Sequence, residues 1–159
     1  MSEDTTIKPD YNEWAAKAVK IVAKMSMTQT GHRVVGTPHI LMGVLKEGPA
    51  ANLLTRSFGV NKTLVAHIIE AMPKPLPEGL GEAFLYSDGA REVLAKAQQL
   101  AIEYGFHHGQ IYTDHLLAAL LLINDKSFAH VMRSLVIDHD ALLVQAMKAL
   151  QEKRELAKV

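Results

Sequence analysis

The residues of this chain best equipped for chemistry are eight histidines and a scatter of carboxylates, and there is no cysteine. Thiol catalysis, disulfides and Cys-based zinc sites are therefore excluded. His107, His108 and His115 lie close in sequence and could ligate a metal. No carboxylate or thiol stands at ligand spacing beside them, so no metal site is expected, and His107 and His108 read as a solvated loop. His39 and His115 each follow a threonine by two positions, Thr37 and Thr113. A histidine so placed can hydrogen-bond to backbone and lock the corner before a helix. No nucleophile accompanies either ring, so a catalytic role is not expected.

Other catalytic signatures are missing. No glycine is followed by lysine, which removes the Walker A loop, and no histidine is followed by glutamate, which removes the His-Glu-x-x-His zinc motif. No serine sits in Gly-x-Ser-x-Gly. The stretch Ala51 to Ile69 has the outline of a helix-turn-helix, with Gly59-Val60 at the turn. A DNA-reading second helix needs basic or amide side chains facing a groove, and only Asn61, Lys62 and His67 qualify. A DNA-binding regulator is thus the alternative reading, and an ordinary helical hairpin the simpler one.

Composition points the same way. Residues 1–80 carry nine Lys/Arg and seven Asp/Glu, and the remainder carries eight and ten, so neither half is a basic body made for phosphate backbones. With 159 residues and 48% hydrophobic content the chain can bury a core without staples. Aromatics are only 6%, which favours helix over sheet. The acidic, polar start is no signal peptide, and the longest apolar run, Leu116 to Ile123, is far short of a membrane span. A cytoplasmic protein without cofactor, metal, nucleic acid or membrane is expected.

What must position these residues is an internal repeat. Thr37-Pro38-His39-Ile40-Leu41 recurs 76 positions later as Thr113-Asp114-His115-Leu116-Leu117. Upstream, Ala15, Ala18, Val19, Val22 and Met25 map onto Ala90, Val93, Leu94, Ala97 and Leu100 at an offset of 75, and downstream Arg56-Ser57 maps onto Arg133-Ser134 at 77. The offset grows between blocks, so the blocks should be helices and the gaps loops. Apolar residues at i, i+3, i+4 and i+7 support this. Thr37 and Thr113 are expected as N-caps, with Pro38 and Asp114 at the first helical position. Gly59 suits a left-handed end to the third helix. Val136 stands at that place in the second copy, and a β-branched residue avoids positive φ, so that turn is expected to differ. Asn61 and Asp138 should cap the fourth helices.

The fold class is therefore all-α: two tandem, pseudo-symmetric four-helix repeats packed as one domain over 10–151. Repeat one is placed at 11–72, a Pro-rich linker at 73–85 and repeat two at 86–151. A flexible N-terminus is expected over 1–9 and a charged helical tail over 152–159. Trp14 is expected as a core or half-buried anchor. Tyr11 and Tyr86, at the two repeat openings, could instead line a groove, because aromatic side chains supply contact area at low entropic cost.

The two copies, Val35-Gly36-Thr37-Pro38-His39-Ile40-Leu41-Met42-Gly43-Val44-Leu45-Lys46-Glu47-Gly48 and Ile111-Tyr112-Thr113-Asp114-His115-Leu116-Leu117-Ala118-Ala119-Leu120-Leu121, resemble the Clp N-terminal repeat domain of the Clp unfoldase ATPases. Tyr86 to Leu94 also resembles that family's repeat opening. The resemblance implies a non-enzymatic module that brings substrate and adaptor proteins to an ATPase ring and its peptidase. In the branch that binds phosphoarginine-tagged proteins, an acid between Thr and His faces the guanidinium in each repeat. Asp114 keeps that acid here, one methylene shorter, whereas Pro38 can neither accept a hydrogen bond nor pair with charge. A phosphoarginine-type ligand is thus confined by the resemblance to Asp114. The other binding residues it implies are Tyr11, Thr37, Tyr86, Arg91 and Thr113, with adaptor-type or hydrophobic ligands near Tyr11, Tyr86 and Arg91. A free-standing repeat protein is expected rather than an excised N-domain.

Overall fold

The computed structural model describes residues 10–74, 85–104 and 109–157, which form eight helices. The segment expected to be flexible at 1–9, most of the linker at 73–85, and His107 and His108 lie outside the described residues. Helix α1 (13–29) runs through Glu13–Lys17, Ala18–Val22 and Ala23–Gln29 without a break, its middle five residues in π-helical hydrogen bonding. Then come α2 (Thr37–Val44), α3 (49–57, made of Pro49–Asn52 and π-helical Leu53–Ser57) and α4 (Lys62–Glu70). The second set is α5 (Asp88–Glu103), α6 (Thr113–Ile123), α7 (Lys126–Ser134) and α8 (His139–Ala157).

Helices α2 and α6 form the centre. They are apolar nearly all round, the signature of a helix buried on every side. Thr37 to Leu41 are buried without exception, as are Thr113 to Leu121. Leu116, Leu117, Leu120 and Leu121 are at most 1% exposed, and each such burial is worth about 2 kcal/mol. Helix α2 packs on α1, α6 and α7, and α6 packs on α5, α8 and α3. Helix α2 meets α1 so closely at Gly43 that a Cβ there would overlap the Ala18 main chain, at the start of the π-helical stretch.

The repeats are not side by side but interlocked. The opening segment of each pairs with the other: Tyr11 bridges to Ile111 and Tyr86 to Val35, both parallel. Asn12 N–H donates to the Ile111 carbonyl at 2.8 Å and Ile111 N–H to the Asp10 carbonyl at 2.7 Å. Val35 N–H donates to the Leu85 carbonyl at 2.7 Å and Ser87 N–H to the Val35 carbonyl at 2.9 Å. Tyr11 corresponds to Tyr86 and Val35 to Ile111, so the two bridges are related by the repeat.

Two local expectations need correction. The N-caps of α2 and α6 are Gly36 and Tyr112, and Thr37 and Thr113 are the first helical residues. The Gly36 and Tyr112 carbonyls already accept the first helical bonds, which puts the threonines inside the first turn, and His39 and His115 reach back from that turn to the cap residues. The Nδ1 atoms of these histidines accept the Gly36 and Tyr112 N–H groups, each at 2.9 Å. At Val136 the expectation fails only in part: the left-handed residue is kept, but the closing bonds differ, since in repeat one Val60 N–H reaches the Leu54 carbonyl after a π-helical turn. Val136 takes φ +57°, beside +64° at Gly59. The helix is closed there by Ile137 N–H on the Met132 carbonyl and Val136 N–H on the Arg133 carbonyl, both 3.0 Å. These bonds satisfy carbonyls that a helix end leaves open, and they hold the valine in a conformation its Cβ resists. Asn61 and Asp138 cap α4 and α8 by accepting from Leu64 and Ala141 N–H.

Val136→Gly is therefore an expected stabilisation. The left-handed conformation costs a non-glycine residue roughly 1–2 kcal/mol, and glycine loses roughly 0.5–1 kcal/mol of extra entropy. A net gain of about 0.5–1 kcal/mol should appear as a higher urea midpoint at unchanged slope. The side chain is 88% exposed, so no packing is sacrificed, and a lower midpoint would contradict the strain. Among the described residues no helix is long and apolar enough to cross a membrane.

Candidate protein-binding site

The interlock creates two related corners. At the first, Tyr11 pairs with Ile111, and Gly48 sits beside Trp14 and Thr113. At the second, Tyr86 pairs with Val35, and Asp125 sits beside Gly89 and Thr37. The corners solve one packing problem in opposite ways. Trp14 occupies the position of Gly89, and Gly48 that of Asp125. Gly48 has φ +107°, and a Cβ on it would come within 3.1 Å of the Trp14 ring and 3.4 Å of Thr113 Oγ1. Gly89 has no room for a Cβ either, because the Asp125 carboxylate fills that space. In the second corner Asp125 joins the repeats. Its Oδ1 accepts from the Thr37 hydroxyl at 2.6 Å and from Phe128 N–H, as N-cap of α7, at 3.0 Å.

These contacts sort the sequence-derived residues. Thr37 and Thr113 are buried, at 0% and 3% exposure, and serve the inter-repeat seam. Tyr11 and Tyr86 are half-buried against the core. The Tyr86 hydroxyl lies 3.4 Å from the Val19 carbonyl, and Lys20 sits 5.6 Å above the Tyr11 ring. Burial raises the Tyr11 phenol above its usual range, and the neighbouring Tyr86 adds to this. The two repeat-opening tyrosines are thus electrostatic neighbours. Arg91 pairs with Asp88 one turn earlier on α5, on the exposed side. Trp14 remains 42% exposed.

The histidines hold corners. His39 accepts through Nδ1, so the proton sits on Nε2, which faces Thr30 Oγ1 at 3.2 Å. Thr30 passes its own hydroxyl proton to the Ser26 carbonyl at 2.7 Å. Both rings have pKa values lowered to about 4, by burial first. The positive charge of His32 adds to the effect at His39. At His115, Asp114 and the Tyr104 backbone oppose it and Lys153 reinforces it.

Asp114 differs most from its counterpart. It is 6% exposed at the start of α6 and lines a cavity of about 340 Å³ with Pro49, Leu53, Gln145, Lys148 and Glu152. Lys153, on the part of α8 beyond the expected repeat boundary, places Nζ 2.9 Å from Asp114 Oδ2. The matching cavity at Pro38 is only about 70 Å³, lined by His32, Ile69, Met72 and Ser127. No carboxylate lines it, so of the two cavities only the Asp114 one offers a negative charge. Sequence reasoning missed Lys153 and Asp125. Asp125 carried a signal, an acid just before a helical run. Lys153 carried none, because its pairing with Asp114 spans 39 positions.

Among the described residues, no group of three metal-ligating side chains forms. Residues 85–158 match the Clp repeat (R) N-terminal domain family. The chain is 28% identical over 160 residues to the chaperone protein ClpC1, chloroplastic, of Arabidopsis thaliana, covering 95% of this chain and 16% of that protein. It thus spans a small part of the length of the curated relatives it matches. The N-terminal domain of the chaperone ClpD from Arabidopsis thaliana superposes with a TM-score of 0.74 at 17% identity, covering 92% of this chain and 98% of that one. The Hsp104 N-terminal domain from Candida albicans superposes with a TM-score of 0.69 at 21% identity, covering 88% and 91%. Residues 85–158 are thus similar to the Clp repeat (R) N-terminal domain family, and the chain has the all-helical fold of Clp N-terminal domains.

Proposed function

We propose that this chain is a non-enzymatic, cytoplasmic protein-binding module that recruits substrate or adaptor proteins to a Clp ATPase or peptidase ring. The observation that carries the reading is the likeness of the whole fold to Clp N-terminal domains, joined to the family match of its second half. The use of its polar residues supports it. His39, His115, Thr37 and Asp125 are spent on helix corners and the inter-repeat seam. What remains for partners is surface: the Asp114 cavity, and the region of Tyr11, Tyr86 and Arg91. Within the cavity, Asp114 is suited to a cationic side chain. A phosphoarginine-type ligand would set its guanidinium on Asp114, with Lys148 near the phosphoryl group.

No observation favours the DNA-binding alternative. Asn61 is occupied in capping α4, which leaves Lys62 and His67 as the basic candidates of Ala51 to Ile69. The test is affinity purification of the full chain from a cell extract. A Clp ATPase, a Clp peptidase or a known adaptor should co-purify, and Asp114→Asn or Tyr86→Ala should lower that recovery severalfold. Absence of all three components would overturn the reading.

A further inference from the structure

The end of α8 has no counterpart in repeat one. Helix α4 stops at Glu70, before the Pro-rich linker, whereas α8 continues to Ala157. The extension does not simply project into solvent. Lys153 Nζ stands 2.9 Å from Asp114 and 5.2 Å above the Tyr112 ring, and the Arg154 guanidinium lies 5.8 Å above the Tyr104 ring. The Lys153 side chain is 23% exposed and the Asp114 side chain 7%, so the pair closes the inner part of the cavity. Lys148, Ala149 and Glu152 line the same cavity from earlier turns of α8. One helix end thus supplies both a wall of the cavity and a cation on its single buried acid.

We propose that the last turns of α8 are a built-in competitor, with Lys153 filling the seat that a client's cationic side chain must take. The inference rests on the reading of Asp114 as a cation seat and adds its regulation. An incoming guanidinium has to displace the Lys153 ammonium. The displaced helix end then loses its ion pair and its hold on Tyr112. Losing a partner would be costly for a buried acid, but an incoming guanidinium leaves Asp114 paired, and the aromatic contacts that hold the helix end are individually modest, so the strap can be opened by binding. Apparent affinity scales with the fraction of molecules whose seat is empty. Modifications or partners that pull the end of α8 away would therefore raise affinity without touching the cavity.

The test uses acetyl-arginine methylamide, a guanidinium without a phosphoryl group, titrated by NMR into the full chain. Lys153→Met and Lys153→Gln should each bind it about tenfold more tightly than the wild type, by emptying the seat. Asp114→Asn, with its fold checked by circular dichroism, should abolish the response. On binding to the wild type, amides in the last turns of α8 should exchange faster. Equal affinity in the wild type and both Lys153 variants overturns the strap and leaves the cation seat standing. No binding by any variant overturns both, while recruitment by the whole chain is judged separately by co-purification.

Discussion

Acidification from pH 7 to pH 4 should remove about 6 kcal/mol of folding stability through two histidines alone. His39 and His115 have folded pKa values of about 4 against 6.5 for the free side chain. Between those values the unfolded chain binds the proton and the folded chain does not. The contribution is thus full above pH 6.5, declines as pH falls through that window, and levels off below about 4. Each ring carries about 3 kcal/mol across it, a large share of the roughly 5–15 kcal/mol that holds a domain together. The cause is geometric. Protonated Nδ1 cannot accept the Gly36 or Tyr112 N–H, and each ring is at most 2% exposed. Urea titrations from pH 4 to 8 should show the decline. The double variant His39→Gln, His115→Gln retains an N3 acceptor in the manner of a capping box. It should be less stable at pH 7.5 but flatter between pH 6.5 and 4. An unchanged slope in that variant would assign the acid sensitivity to other groups.

The second large effect comes from severing the repeats. A chain of residues 1–75 should show no cooperative melt. It lacks Ile111 to pair with Tyr11, Leu85 and Ser87 to pair with Val35, and Asp125 to hold Thr37. It also leaves in water the face of α2 that packs on α6 and α7, a helix whose Ile40, Leu41 and Val44 are fully buried in the whole chain. Each such side chain returned to water costs about 2 kcal/mol. Mixing residues 1–75 with residues 76–159 should restore helicity in a concentration-dependent way. A sigmoidal melt of the first fragment alone, independent of concentration, would contradict interdependence of the halves.

Much of this was legible in the residues. The i, i+3, i+4 pattern and the recurring Thr-x-His-(Ile/Leu)-Leu run gave the all-helical class and the four-helix repeat, because core faces must be apolar at helical spacing. The capping asparagine and aspartate at 61 and 138 were legible for a similar reason, since N-caps act over three residues. The candidate site was only half legible. Asp114 stands out by comparison with Pro38, but its partner Lys153 belongs to another helix, and pairing across 39 positions leaves no local trace. The helices begin one residue earlier than expected, so the threonines fall inside the first turn, and His39 and His115 accept the N–H of the cap residue itself, a donor that a threonine cap does not serve. At Val136, two closing hydrogen bonds outweighed a local preference that pointed the other way. The exchange of opening segments was invisible, since Tyr11 and Tyr86 fit their own repeat as well as the other one.

That exchange gives the joint between the repeats a thermodynamic role. The two bridges and the seam are the contacts of a two-fold dimer, each half completing the other. Had the halves been separate chains, their assembly would depend on protein concentration. Joining the halves in one chain makes the second an intramolecular partner, with an effective concentration on the order of millimolar. Stability then no longer varies with dilution. One copy can also lose a feature, as repeat one has a proline where repeat two has Asp114, while the other keeps it. Covalent linkage thus permits the two halves to diverge, which two identical subunits of a dimer cannot do.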